Sequence, residues 1–202
     1  MSPSTGRGPT AAKVGPNAII RVAEALEQAC GTDVVGRVFR AADLEPYLTT
    51  LPTEMVKEQE VSRLQSALRE QLGLALARSV SMDAGLRTGD YLLANRIPRP
   101  VQRLLTFLPA RLASRILISA IRRNAWTFVG SGVFDGTPGR PTRLTVTDGP
   151  ICRGAEASEP ICDFYAGSFE RLFSKLVHKN ARVTEIACQA GGAESCVFEV
   201  RW

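Results

Sequence analysis

Apolar residues recur at helical spacing through most of the first 124 positions. Pro16 and Asn17 open a segment in which Ile19, Ile20, Val22, Ala23, Leu26 and Ala29 follow the 3.6-residue period, and Gly31 stops it after Cys30. Residues 33–50 predict one or two short helices. Pro52-Thr53-Glu54 opens a longer one to about Leu72. Gly73 breaks or kinks the chain before a further helical segment to about Ala84, and Gly85 and Gly89 predict the next turn. Pro98 and Pro100 bracket a linker. Helices are expected over about 101–108 and from Pro109 to near Arg123. No strand is expected in this part of the chain.

The period changes at Ala125. Trp126, Phe128, Val133 and Phe134 around Gly130-Ser131-Gly132 predict a bulged strand. The stretch Gly136 to Gly139 predicts a turn, and Thr142 to Thr147 alternates as a second strand. An irregular loop over 148–161 leads to a helix over about 163–178. Tyr165, Phe169, Leu172, Phe173 and Leu176 share one face of it, with Glu170, Arg171, Ser174 and Lys175 outside. Strands over about 182–188 and 196–201 form a hairpin across Gln189 to Ser195, where Gly191-Gly192 supply positive φ. Helices early and strands late give an α+β class: a helical N-terminal portion packed on a small antiparallel sheet. The expected organisation is a flexible N-terminus over 1–14, a helical portion over 15–124 and a sheet-bearing portion over 125–202, the last two in one compact unit.

At 202 residues, 45% hydrophobic and 22% charged, the composition is that of an ordinary globular protein. No apolar run approaches the ~18 residues needed to cross a bilayer. Arg7 and Lys13 are not followed by the apolar segment of a secretory signal. A cytoplasmic protein is therefore expected, whose cysteines stay reduced and favour metal or redox roles over disulfides. The net charge of +5 favours acidic partners without choosing among nucleic acid, anionic lipid and a carboxylated small molecule.

Two features carry candidate chemistry. Cys162, Glu185, Cys188 and Cys196 offer three soft thiolates and a carboxylate, a donor set for closed tetrahedral zinc. Cys162 precedes a helix, Cys188 ends one strand and Cys196 begins the next. Glu185 needs a bulge or a strand end to face Cys188, because residues three apart in a flat strand point to opposite sides. Two other readings stand open: reduced structural cysteines, and an iron–sulfur cluster that also uses Cys152. Cys30 reads as structural. The second feature is an arginine run. Arg99, Arg103, Arg111, Arg115 and Arg122 lie between Arg96 and Arg123 with no acidic residue among them. They form either a solvated basic face, a clamp for carboxylate or phosphate centred on Arg111 and Arg115, or a basic amphipathic membrane-surface patch. His178, the single histidine, falls at a helix C-terminus, where its charge is favourable. No DNA- or RNA-binding signature is present, so nucleic acid is not an expected partner. Gly130-Ser131-Gly132 is not a dinucleotide fingerprint, and no nicotinamide or flavin motif supplies the electrons a reductase needs.

The stretches Glu185-Ile186-Ala187-Cys188, Gly191-Gly192 and Cys196-Val197-Phe198 resemble the 4-vinyl reductase domain family. Gly15-Pro16-Asn17-Ala18-Ile19 and Ala125 to Gly132 extend the resemblance to the members of that family that serve bacteriochlorophyll biosynthesis. It implies a fold shared with vesicle-tethering subunits, with the sensor domains of aromatic-responsive activators and, more distantly, with haem nitric-oxide sensors. In the activator sensors three cysteines and a glutamate hold zinc, at a spacing matched by Cys162, Glu185, Cys188 and Cys196. The leading expectation is binding or carriage of a tetrapyrrole precursor, a Mg-porphyrin or protochlorophyllide. Arg111 and Arg115 would hold its propionates, and Trp126, Phe128 and Phe134 would line its apolar pocket. The alternatives are an 8-vinyl (formerly 4-vinyl) reductase acting on divinyl protochlorophyllide, and a zinc-stapled dimerisation or scaffold module. Expected partners are the tetrapyrrole and other enzymes of the pathway. A homodimer and peripheral contact with the inner or photosynthetic membrane remain open.

Overall fold

The structure is a computed structural model and describes residues 12–202. Most of the flexible stretch expected over 1–14 lies outside the described residues. Lys13–Val14 forms strand β1 and pairs antiparallel with β2, Val56–Lys57. These two strands occur in the portion expected to be helical throughout. Their pairing also moves a helix start: the segment expected to open at Pro52 becomes extended, and helix α4 begins only at Glu58.

Before β2 come α1 (Asn17–Cys30), α2 (Thr32–Ala41) and the single turn α3 (Pro46–Thr49). Helix α4 (Glu58–Leu72) ends at Gly73, whose φ of +74° breaks the chain rather than kinking it. Helix α5 then runs uninterrupted over Leu74–Asn95, so Gly85 and Gly89 mark no turn. They mark a helix crossing. A Cβ on Gly85 would stand 2.3 Å from the Phe164 carbonyl oxygen, and one on Gly89 would stand 2.5 Å from Arg171 Cβ. From the facing helix, a Cβ on Gly167 would stand 2.4 Å from the Met82 carbonyl oxygen. Glycine on both sides lets two backbones meet, a use that a single sequence does not separate from punctuation.

Helices α6 (Arg99–Phe107) and α7 (Ala110–Arg123) follow as a hairpin. The strand expected around Trp126 to Phe134 is instead the short helix α8 (Trp126–Val129), a left-handed Gly130 (φ +61°), and strand β3 over Val133–Thr137. The expected turn at Gly136 is part of β3. A Cβ there would stand 2.8 Å from Ile118 Cγ2, so this glycine lets α7 lie close on the strand. Strand β4 (Thr142–Thr147), helix α9 (Asp163–Leu176) and strands β5 (Arg182–Ala187) and β6 (Cys196–Arg201) complete the chain.

The larger sheet is antiparallel in the order β3-β4-β6-β5. Helix α9 is buried nearly all round, the signature of a central rather than a surface helix. One side meets α5 through the glycines. The other meets the sheet through Tyr165 and Phe169, whose rings lie against Phe198 with centroids 6.3 and 5.4 Å away. The class is α+β, as the period change at Ala125 indicates.

Candidate metal centre and arginine cleft

Four buried cysteines converge at the N-terminus of α9. Cys162 caps that helix, Cys188 ends β5, Cys196 begins β6, and Cys152 comes from the loop after β4. The Cys152–Cys196 and Cys162–Cys196 sulfurs are each 3.5 Å apart, Cys188–Cys196 3.7 Å and Cys162–Cys188 3.8 Å. All four lie within 4.8 Å of one another. A tetrahedral ion with metal–sulfur bonds of about 2.3 Å holds its sulfurs about 3.8 Å apart. The donor set thus fits a single metal ion. A multinuclear iron–sulfur cluster interposes its own atoms and spreads its cysteines farther. Hydrogen bonding within the group, from Cys152 first, pulls Cys188 far below the ordinary thiol value and pushes Cys196 and Cys162 up.

Glu185 lies beside this group. The β5–β6 register slips between Glu185 and Ala187, the bulge that lets the side chain turn inward. Its Oε2 accepts the Cys162 N–H at 2.7 Å, while Oε1 is buried with no hydrogen-bond partner among the described residues. Burial and the nearby Cys188 push the carboxyl up to about 9. Arg69 of α4 approaches from the other side, donating to the Ile151 carbonyl at 3.2 Å. Burial lowers its pKa, against the pull of Cys162, Cys152 and Cys188, so it is the cation placed to offset thiolate charge. Sequence reasoning brought Cys152 in only for an iron–sulfur cluster and missed Arg69. Nothing in their spacing links either residue to the hairpin, because a loop and a distant helix deliver them.

Arg111 and Arg115 border a cavity of about 180 Å³ with Arg140, Ser114, Thr142 and Trp202. Helix α7 presents the first two arginines, and the β3–β4 turn presents the third. Among the described residues none of these three guanidiniums has an ion pair or hydrogen bond, whereas Arg122 on the same helix pairs with Asp135. Trp202 stacks on Phe173 (centroids 6.4 Å, 29°), and its indole N–H is buried without an acceptor. Ser114 and Thr142 share a hydroxyl contact of 3.3 Å. Unpaired positive charge over neutral donors suits an anion. The arginine run pointed to Arg111 and Arg115. Arg140 and Trp202 come from the sheet and leave no such signal.

Trp126 and Phe128 are not part of this cleft. Trp126 is 61% exposed on α8. Phe128 packs edge-on against Phe134, Tyr165 and Phe169 at 5.7, 5.9 and 6.1 Å, so these rings fill the space between α9 and the sheet with one another. His178 follows α9 and accepts the Asn180 N–H, and Cys30 closes α1 away from the other cysteines.

The 4-vinyl reductase domain family matches residues 142–202. The chain is similar to the bacteriochlorophyll synthase 23 kDa chain of Cereibacter sphaeroides, 41% identical over 199 residues that cover 97% of this chain and 94% of that protein. It is also similar to the protein of that name from Rhodobacter capsulatus, 37% identical over 92% of this chain and 85% of the other. In structure it is similar to an H-NOX protein from K. algicida, with a TM-score of 0.57 over 92% of this chain and 95% of that one, at 13% identity. At that identity the likeness establishes the fold alone.

Proposed function

The chain belongs to the family of the bacteriochlorophyll synthase 23 kDa chains, and from that premise we propose that it serves bacteriochlorophyll biosynthesis by binding a carboxylated tetrapyrrole precursor. The observation that carries this reading is the cleft of three unpaired arginines. Its roughly 180 Å³ is smaller than the ~300 Å³ at which pockets for drug-sized ligands begin. It takes the propionate arm and leaves the macrocycle outside. A fold shared with the haem-containing H-NOX family agrees with this without establishing it. The relatives are named as chains of a synthase, so this protein would work beside other enzymes of the pathway.

The cysteine group is proposed to hold one zinc ion as a structural staple. Four thiolates complete the tetrahedron, with Glu185 hydrogen-bonded beside it, so zinc keeps no open position for chemistry. Such an ion ties the loop after β4, the N-terminus of α9 and the β5–β6 hairpin into one unit.

The test mixes the purified protein with divinyl protochlorophyllide and NADPH. The expected result is stoichiometric binding, read as a Soret shift and quenched Trp202 emission, with the 8-vinyl group intact by mass spectrometry. Repeated turnover by this protein alone would establish the reductase instead. Absence of binding would leave only the zinc-stapled scaffold.

A further inference from the structure

Helix α6 buries little of its apolar surface. Leu105 is 3% exposed, but Val101, Leu104 and Phe107 are 41%, 58% and 87% exposed. Spaced three apart, they form one stripe along the helix. On α7, Leu112 and Ile116 continue the apolar surface at 44% and 40% exposure. The hairpin is nonetheless anchored: Gln102 donates its amide to the carbonyls of Leu93 and Ile97 at 2.6 and 2.7 Å. Phe107 therefore projects from a fixed element next to the α6–α7 turn. The polar side of α6 carries Arg99 and Arg103, and no acidic residue occurs from Arg96 to Arg123.

We propose that this hairpin docks the protein on an anionic lipid surface, with Phe107 and Leu104 entering the headgroup layer and Arg99 and Arg103 meeting the phosphates. An exposed aromatic stripe flanked only by cations is the composition of an interfacial helix. A second copy fits less well. A symmetric contact would set the same arginines against one another, and no carboxylate within this segment could relieve them. Among the described residues no helix is long and apolar enough to cross a membrane, so the contact is peripheral. It is independent of the tetrapyrrole reading, and its test leaves Arg111 and Arg115 untouched.

The full chain is centrifuged with phosphatidylcholine vesicles made with and without phosphatidylglycerol. Binding is expected on the anionic vesicles and is expected to fall as salt rises. The double variant Leu104→Asp/Phe107→Asp should lose it at least tenfold, as should Arg99→Glu/Arg103→Glu. Unchanged circular-dichroism melting and tetrapyrrole affinity would exclude misfolding. Absence of binding to anionic vesicles, or binding unaffected by both variants, overturns the proposal. A dimer in sedimentation that the Asp variant splits into monomers overturns it too, in favour of a second copy.

Discussion

Glu185 Oε2 and the Cys162 backbone N–H meet at 2.7 Å, tying the bulge of β5 to the residue that caps α9. That bond occupies one oxygen of the carboxylate and leaves the four sulfurs as the group spaced for an ion. Elemental analysis should find about one zinc per chain. Cys152→Ser and Cys188→Ser should each release it and lower Tm by on the order of 10 °C. Glu185→Gln should keep the metal. Loss of zinc from the Gln variant with retention in Cys152→Ser would instead make the glutamate the fourth ligand.

The crossing of α5 and α9 is set by backbone contact. Gly85→Ala or Gly167→Ala would drive a methyl to within 2.4 Å of a carbonyl oxygen. Each should destabilise the protein by about 3 kcal/mol, read from denaturant midpoints at constant m. Full stability in Gly85→Ala would show that the two helices can separate at no cost.

Glu58 closes a buried network. It pairs with Arg153 at 2.6 Å and accepts the Ser131 N–H at 2.8 Å, just after the left-handed Gly130. Burial alone would raise its carboxyl, but Arg153 and Ser131 outweigh that and hold it below the ordinary carboxylate range. A folded pKa below the unfolded one means stability that is present above about pH 4.5 and lost as pH falls through the folded value. Glu58→Gln should cost about 2 kcal/mol at neutral pH and flatten the acid limb of a stability profile. An unchanged acid limb would assign the acid sensitivity to other carboxylates.

Arg140 stands with Arg111 and Arg115 around the cleft although the chain brings it from a different element. Arg140→Ala should weaken tetrapyrrole binding about tenfold, the loss of one charge-assisted hydrogen bond. Its Tm should not move, because the side chain is exposed and unpaired. Titration by Soret absorbance measures it. Wild-type affinity would remove Arg140 from the site.

The alternation of TRLTVT, the face of α9 and the cysteine–glutamate spacing were legible because each depends on residues close in sequence. Period and local turn chemistry alone place the late hairpin and the helix ahead of it. What only the tertiary structure decided depends on distant partners. Gly85 and Gly89 resemble a turn until α9 is laid across them. Trp126 to Val129 becomes a helix where the strand signal ended in glycine, and the Glu58 carboxylate takes up the Ser131 N–H at its exit. Cys152, Arg69, Arg140 and Trp202 join their sites across 44, 83, 25 and 87 residues from Cys196, Cys152, Arg115 and Arg115 respectively. Side-chain periodicity carries information over a few residues. Which loop supplies a fourth sulfur, or which turn a third guanidinium, is fixed only when sheet and helices pack together.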